Sequence, residues 1–284
     1  MPLRAATVRA AALLAKNPAL FCRIALAKIN TVRPLPRLPA RRRIGDIVFE
    51  CDLHQYRGTA PIYFGSYALL VIQAMERILK PGGVFFDVGA NIGYLSAVGA
   101  KLVGTQGQVH SFEPIPAYYA RLRRLACLNP SHTIVTNRCA AGEEPGTATI
   151  YVTREAGQNT MVPNYQLQSE ITATLQVPVV RLDSYIEERQ LRRISLIKID
   201  AEGFELPILR GIEHYFESSA DRPPIICEVA PRAYPLMGRS PSEFAGYMAR
   251  FGYAAFDLID ASTPVDTRTL TRVEDVLFLA KRGA

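Results

Sequence analysis

The sequence predicts an α/β fold, a doubly wound, mostly parallel seven-stranded sheet with an antiparallel hairpin at one edge. Three observations predict it. Short apolar runs alternate with helix-like stretches from residue 84 onward. The first of these runs leads straight into a glycine loop that opens a helix. The last two runs follow each other with no helix between them.

The apolar run V-F-F-D-V (84–88) has the texture of a parallel strand buried on both faces. Ahead of it, I-V-F-E-C-D-L (47–53) reads as a strand or hairpin arm and 66–79 as a helix that K-P-G-G (80–83) breaks. Helix is expected at 91–102, strand at 108–113, helix at 116–128 and strand at 133–137. Residues 147–152 and 175–180 form an inserted pair of strands, followed by a short helix at 183–189. Strand 194–200, helix 204–217, strand 224–229 and helix 241–251 continue the alternation. Strands 254–258 and 275–280 close it as the edge hairpin.

The net charge of +7 belongs to one end of the chain. Residues 1–43 carry ten Lys or Arg and no acid, which leaves 23 basic against 26 acidic residues in the remainder. A body of charge −3 argues against nucleic acid as a partner. The basic segment reads as two short helices (3–16 and 18–29) and a Pro- and Arg-rich linker (31–43), set apart from a domain spanning 44–284. Packing on the body or on a partner subunit is one reading of this arm, and peripheral contact with an anionic membrane surface is the other. No apolar run reaches the roughly 20 residues that span a bilayer. Five scattered cysteines without a CxxC pair, and no secretory signal pattern, lead to the expectation of a cytoplasmic protein, at the inner face of the membrane if the arm docks there. The oligomeric state is left open.

The sharpest motif is F-D-V-G-A-N-I-G-Y (86–94). Gly89 permits a tight turn with a ligand against it, and Gly93 permits a helix start close to the sheet. The helix N-terminal amides suit a carboxylate, and Asp87 suits an ammonium group. The spacing is G-x-x-x-G, not the G-x-G-x-x-G of dinucleotide sites. The next strand ends in F-E-P, placing Glu113 26 residues after Asp87, near the offset of about 20 at which an acid grips ribose hydroxyls. Loop and acid together make an adenosine-type site.

K-P-G-G-V-F-F-D-V-G-A-N-I-G-Y (80–94), F-E-P-I-P (112–116), R-L-D-S-Y (181–185), L-I-K-I-D-A-E-G-F-E (196–205) with L-R-G (209–211), and the terminal acid of I-I-C-E-V (225–229) resemble the FkbM-type methyltransferases. The resemblance implies the Rossmann-like class I methyltransferase fold and S-adenosyl-L-methionine as cofactor. Carried over by position, it places Asp87, Gly89, Ala90, Asn91 and Gly93 around the methionine end, with Glu113 and Pro114 at the ribose. Ala140 and Ala141, in N-R-C-A-A-G (137–142), flank the adenine through backbone groups. The family often carries an acid in the helix before the first strand, and F-G-S-Y-A-L-L (64–70) has none.

In K-I-D-A-E-G-F-E, strand alternation puts Lys198, Asp200 and Glu202 on one side at the carboxyl end of a strand, where ligands of open α/β sheets bind. These three are the candidate catalytic residues. A carboxylate here acts as general base toward an acceptor hydroxyl, with Glu228 able to join from the next strand. The alternative is Mg²⁺ held by Asp200 and Glu228, less favoured because two carboxylates are few ligands. Glu205 reads as a helix-start cap, and Gln158, Asn159 and Thr160 as acceptor-pocket candidates. The expected function is O-methylation of a sugar, glycolipid or polyketide-like hydroxyl. A dinucleotide-dependent oxidoreductase and a non-catalytic binding module are the competing readings.

Overall fold

The computed structural model describes residues 39–52, 59–154, 157–165, 170–219 and 222–280, together with Pro18 and Cys22. The expected helices at 3–16 and 18–29 and the first part of the linker fall, apart from those two residues, outside this set. The chain divides into two compact units, residues 1–69 and 70–284.

In the first unit, β1 (Pro39–Ile44) pairs antiparallel with β2 (Ile47–Asp52), followed by the short helix α1 (Thr59–Phe64). The linker expectation therefore fails for 39–43, and a boundary at 43/44 would cut a strand. The physical reason is the turn. Gly45, at φ 64°, reverses the chain in two residues, and the arginines find partners across the hairpin. Arg41 Nη2 lies 3.0 Å from Glu50 Oε1, and Arg42 donates to the carbonyls of Ile62 and Tyr63.

The second unit carries the predicted sheet. α2 (Leu69–Ile78) leads to β3 (Val84–Val88), α3 (Tyr94–Val103), β4 (Gln108–Phe112), α4 (Pro116–Leu128) and β5 (Thr133–Asn137). A small second sheet follows, made of β6 (Ala140–Ala141), β7 (Gly146–Thr153) and β8 (Ile171–Val180) in the order β6-β8-β7. Then come α5 (Leu182–Glu188), β9 (Leu196–Ile199), α6 (Glu205–Arg210), α7 (Glu213–Ser218), β10 (Ile225–Val229), a 3₁₀ turn at Tyr234–Met237, α8 (Pro241–Arg250), β11 (Tyr253–Phe256) and β12 (Glu274–Ala280).

The main sheet runs β11-β12-β10-β9-β3-β4-β5. All neighbours are parallel except β12, which is antiparallel to both β10 and β11. The central strands are mostly apolar because both faces are covered, with charged residues confined toward their carboxyl ends. Phe85, Phe86, Leu196, Ile197, Ile225 and Ile226 are all fully buried.

Two local departures from expectation have tertiary causes. The helix expected over 204–217 breaks at Gly211, whose backbone carbonyl accepts from the Asp183 amide of α5. The Asp183 carboxylate then accepts from the amides of His214 (3.2 Å) and Tyr215 (2.9 Å), capping α7 from a different element. The expected inserted strand pair gains a third strand, because Ala140–Ala141 pairs parallel with Val179–Val180.

Candidate active site

Five parallel strands deliver their carboxyl ends to one edge of the sheet. The loop between β3 and α3 sits there, built from three left-handed residues, Gly89 (φ 81°), Asn91 (φ 51°) and Gly93 (φ 86°). Its amides are all engaged. Those of Gly89 and Ala90 donate to the Phe112 carbonyl at 3.1 and 3.0 Å. The Asn91 amide donates to Glu113 Oε2 at 2.8 Å, that of Ile92 to Asn91 Oδ1 at 2.7 Å, and that of Gly93 to the Ala90 carbonyl at 2.8 Å.

This geometry adds a second reason for Gly89 and corrects the reading of Gly93. A Cβ on Gly89 would sit 1.8 Å from the Asp200 carbonyl oxygen, so its bareness serves the close approach of two strand ends. A Cβ on Gly93 would meet Leu122 at 2.8 Å and Leu125 at 3.0 Å, so the helix start lies against α4, not against the sheet.

Asp87 is 1% exposed and accepts from the Ser96 hydroxyl at 2.5 Å, with Ser111 Oγ 2.8 Å beyond. The Ser96 backbone also favours its charge. Asp87 is thereby tied to the first turn of α3. Burial pushes Asp87 up to about 6 against these hydrogen bonds. With Asp87 and Gly93 buried inside the loop's scaffold, Gly89 and Asn91 are the residues of 87–93 with partly exposed surface.

Glu113 stands directly beside this loop, at the end of β4. Its Oε1 accepts from the Ile115 amide at 2.8 Å, and its Oε2 from the Asn91 amide. Each oxygen keeps a lone pair. Burial raises Glu113 to about 7 despite the two amides that favour its charge. Pro114 follows it, half-buried. Ala140 and Ala141 are buried, and β8 takes one side of their backbone. As β6 is the edge of its sheet, their other side has no strand partner.

The second group of residues lies at the ends of β9 and β10. One carboxylate oxygen from each of Asp200, Glu202 and Glu228 lies within 4.8 Å of the others. Alternation does not bring Glu202 there, because β9 stops at Ile199. Glu202 sits in a turn at φ 48° whose carbonyl accepts from Thr160 Oγ1 at 2.6 Å. Asp200, and then burial, push Glu228 well above the usual carboxylate range. Its Oε2 is buried with no hydrogen-bond partner.

Lys198 is tied to protein groups. It is 1% exposed, and its ammonium contacts the Ile199 carbonyl (3.2 Å), Asp200 Oδ2 (3.4 Å) and Asp275 Oδ1 (3.1 Å). Burial works against its charge, but Asp200, Asp275 and Glu228 hold its pKa well above the ordinary value. Glu205 accepts from the Gly203 amide at 2.8 Å, as a residue tying down the helix start. It is fully buried, and burial raises it to about 7.

The residues of the insert are structural where they are named. Thr160 is buried and clamps the Glu202 turn, while Asn159 accepts from the Thr153 amide and donates to Tyr118 Oη. Sequence reasoning missed Ser96, Asp275 and Tyr165. Tyr165 is half-buried and feels the charges of Glu202, Glu205 and Glu228. Asp275 had a legible signal: an antiparallel last strand brings its first residues to the edge where parallel strands end.

A model of the methyltransferase FkbM domain matches residues 87–255, from Asp87 through most of β11. The chain belongs to the FkbM methyltransferase family. Among curated relatives, 31-O-demethyl-FK506 methyltransferase FkbM of Streptomyces tacrolimicus is 32% identical over 163 residues, 48% of this chain and 61% of that protein. Methyltransferase 1 of Beauveria bassiana is 31% identical over 144 residues, 45% of this chain and 57% of its own. Hexuronic acid methyltransferase AglP of Haloferax volcanii is 25% identical over 148 residues, covering 52% and 57%. The chain thus spans 57–61% of the length of these FkbM-family and other methyltransferases. Among the described residues, no helix is long and apolar enough to cross a membrane.

Proposed function

We propose that this FkbM-family chain is an S-adenosylmethionine-dependent O-methyltransferase acting on a small molecule or sugar hydroxyl. One observation carries the reading. The loop facing Glu113 and the cluster of Asp200, Glu202 and Glu228 adjoin each other, with the Gly89 backbone packed directly on the Asp200 carbonyl. A site for an adenosine cofactor and a site for proton transfer are thereby neighbours.

In this reading the exposed surface of Gly89 and Asn91 takes the methionine end, and the spare lone pairs of Glu113 accept the ribose hydroxyls. The unpaired side of Ala140–Ala141 flanks the adenine. Asp87 and Gly93 shape the loop without touching the ligand. Bound there, the cofactor supplies an electrophilic methyl on a sulfonium. Asp200, with Glu202 beside it, would take the proton of the acceptor hydroxyl as that oxygen receives the methyl group. Glu228, whose affinity for a proton is raised by the neighbouring Asp200 and by burial, shares the cluster's proton.

The three carboxylates are also an all-oxygen donor set close enough to share one divalent cation, which would lower the acceptor hydroxyl's pKa. The base reading is favoured because the buried ammonium of Lys198 already lies 3.4 Å from Asp200. The names of two relatives, an FK506-type and a hexuronic acid methyltransferase, support a macrolide alcohol or a sugar acid as acceptor. Calorimetry with S-adenosylhomocysteine and NADH tests the cofactor: binding of the first alone is expected, and binding of NADH alone would end the reading. Methyl transfer to a panel of hexuronic acid glycosides and macrolide alcohols, with and without EDTA, then separates base from metal.

A further inference from the structure

We infer that Asp275, near the start of β12, is a positioning residue that shares the Lys198 ammonium with Asp200 and so keeps Asp200 out of a tight, exclusive ion pair, leaving it able to act on the acceptor. The inference rests on the proposed reading that the reacting methyl lies beside Asp200.

The sheet register builds the arrangement. Lys198 of β9 pairs with Ile226 of β10, Glu228 follows two residues later on the same face, and Glu228 pairs with Asp275 of β12. A row of charged side chains therefore crosses three strands. Lys198 is 1% exposed, yet its ammonium lies nearer to Asp275 (3.1 Å) than to Asp200 (3.4 Å). Other groups feel its charge: Asp87 from β3, Glu205 from α6, and Cys227 and Glu228 from β10. Among the described residues, Asp200 and Asp275 are the carboxylates within ion-pair distance of it.

A buried ammonium does not stay unpaired. Without the Asp275 charge, Lys198 closes on Asp200, and the carboxylate that faces the acceptor becomes one half of a tight ion pair. Asp275 would then act on the reaction without touching substrate or cofactor. Its side chain is about a third exposed, so its replacement leaves no new charge in the core apart from Lys198 itself.

Sinefungin tests this without knowledge of the acceptor. It is a cofactor analogue with an amine where the sulfonium methyl stands, so its affinity relative to S-adenosylhomocysteine reads negative charge at that point. The full chain is expected to prefer sinefungin. Asp275→Asn is expected to lower that preference roughly fivefold while leaving S-adenosylhomocysteine affinity unchanged, with a lower thermal midpoint from the lost ion pair. Asp275→Glu keeps the charge and is expected to retain the preference. An unchanged ratio in Asp275→Asn, or no preference in the parent chain, overturns the inference and leaves the cofactor reading standing. Failure of the parent chain to bind either compound overturns both. Asp275→Ser, measured in the same way, decides the matter if Asp275→Asn does not fold.

Discussion

The two halves of the site are both rich in carboxylates and are built on opposite principles. On the cofactor side, around residues 87–93 and 113, backbone amides do the work and every loop amide has an acceptor. Asp87 and Glu113 are each fixed by hydrogen bonds from neighbouring elements. On the proposed acceptor side, around Asp200, Glu202 and Glu228, side chains from the turn after β9 and from the end of β10 crowd together, and a buried Glu228 oxygen has no hydrogen-bond partner among the described residues. A satisfied loop is rigid and makes a preformed binding surface. A crowded, partly unsatisfied cluster stores electrostatic free energy that proton transfer can release.

The largest expected effect breaks the boundary between the halves. Gly89→Ala drives a Cβ into the Asp200 carbonyl at a left-handed backbone position. It should cost about 4 kcal/mol or more, seen as loss of a cooperative denaturation transition. Asp200→Asn should divide the halves cleanly. Methyl transfer falls by roughly 10²–10⁴-fold while S-adenosylhomocysteine affinity stays within about twofold; parallel loss of both would merge the two regions into one.

Glu113→Gln sharpens the cofactor half. Affinity for S-adenosylhomocysteine should fall about tenfold, since the ribose loses hydrogen bonds to a charged acceptor. In the parent chain that affinity should rise as pH climbs through about 7, where Glu113 ionises, and the variant's titration should lack this step. Stability should run the other way. Asp87 and Glu113 fold with their pKa values raised from 3.8 and 4.5 to about 6 and about 7, so the native state binds more protons than the unfolded chain between those limits. Their contribution is full below the lower values and is lost as pH rises through the upper ones. The urea midpoint should be higher at pH 5 than at pH 8, with a smaller difference in Glu113→Gln. The smallest effect belongs to Thr160→Val, which removes the clamp on the Glu202 turn and should cost about 1 kcal/mol by denaturant titration.

The cofactor half was readable because its geometry is local. Gly89, Asn91 and Gly93 announce left-handed backbone within five residues, and Glu113 announces itself by its place at the end of the next strand. The roles of individual residues were less readable. What fills the space beside Gly89 is Asp200, over a hundred positions away, and what lies against Gly93 is α4. The acceptor half was legible for Asp200 and Glu228, at the ends of adjacent strands; Asp275 was legible only through the antiparallel edge, and its pairing with Lys198 depends on β12 running backwards beside β10.

What the sequence determined on its own was the alternation of strand and helix, the glycine loop, and the positions of the acids at strand ends. These follow from periodicity and backbone sterics, which act between near neighbours. Tertiary structure alone decided that Pro39–Ile44 is a strand, that Asp183 splits the helix expected over 204–217, and that Lys198 is spent on two carboxylates. Each of those outcomes turns on a partner contributed by a different element. Burial and charge pairing act through space, and one-dimensional spacing carries no record of which distant group arrives.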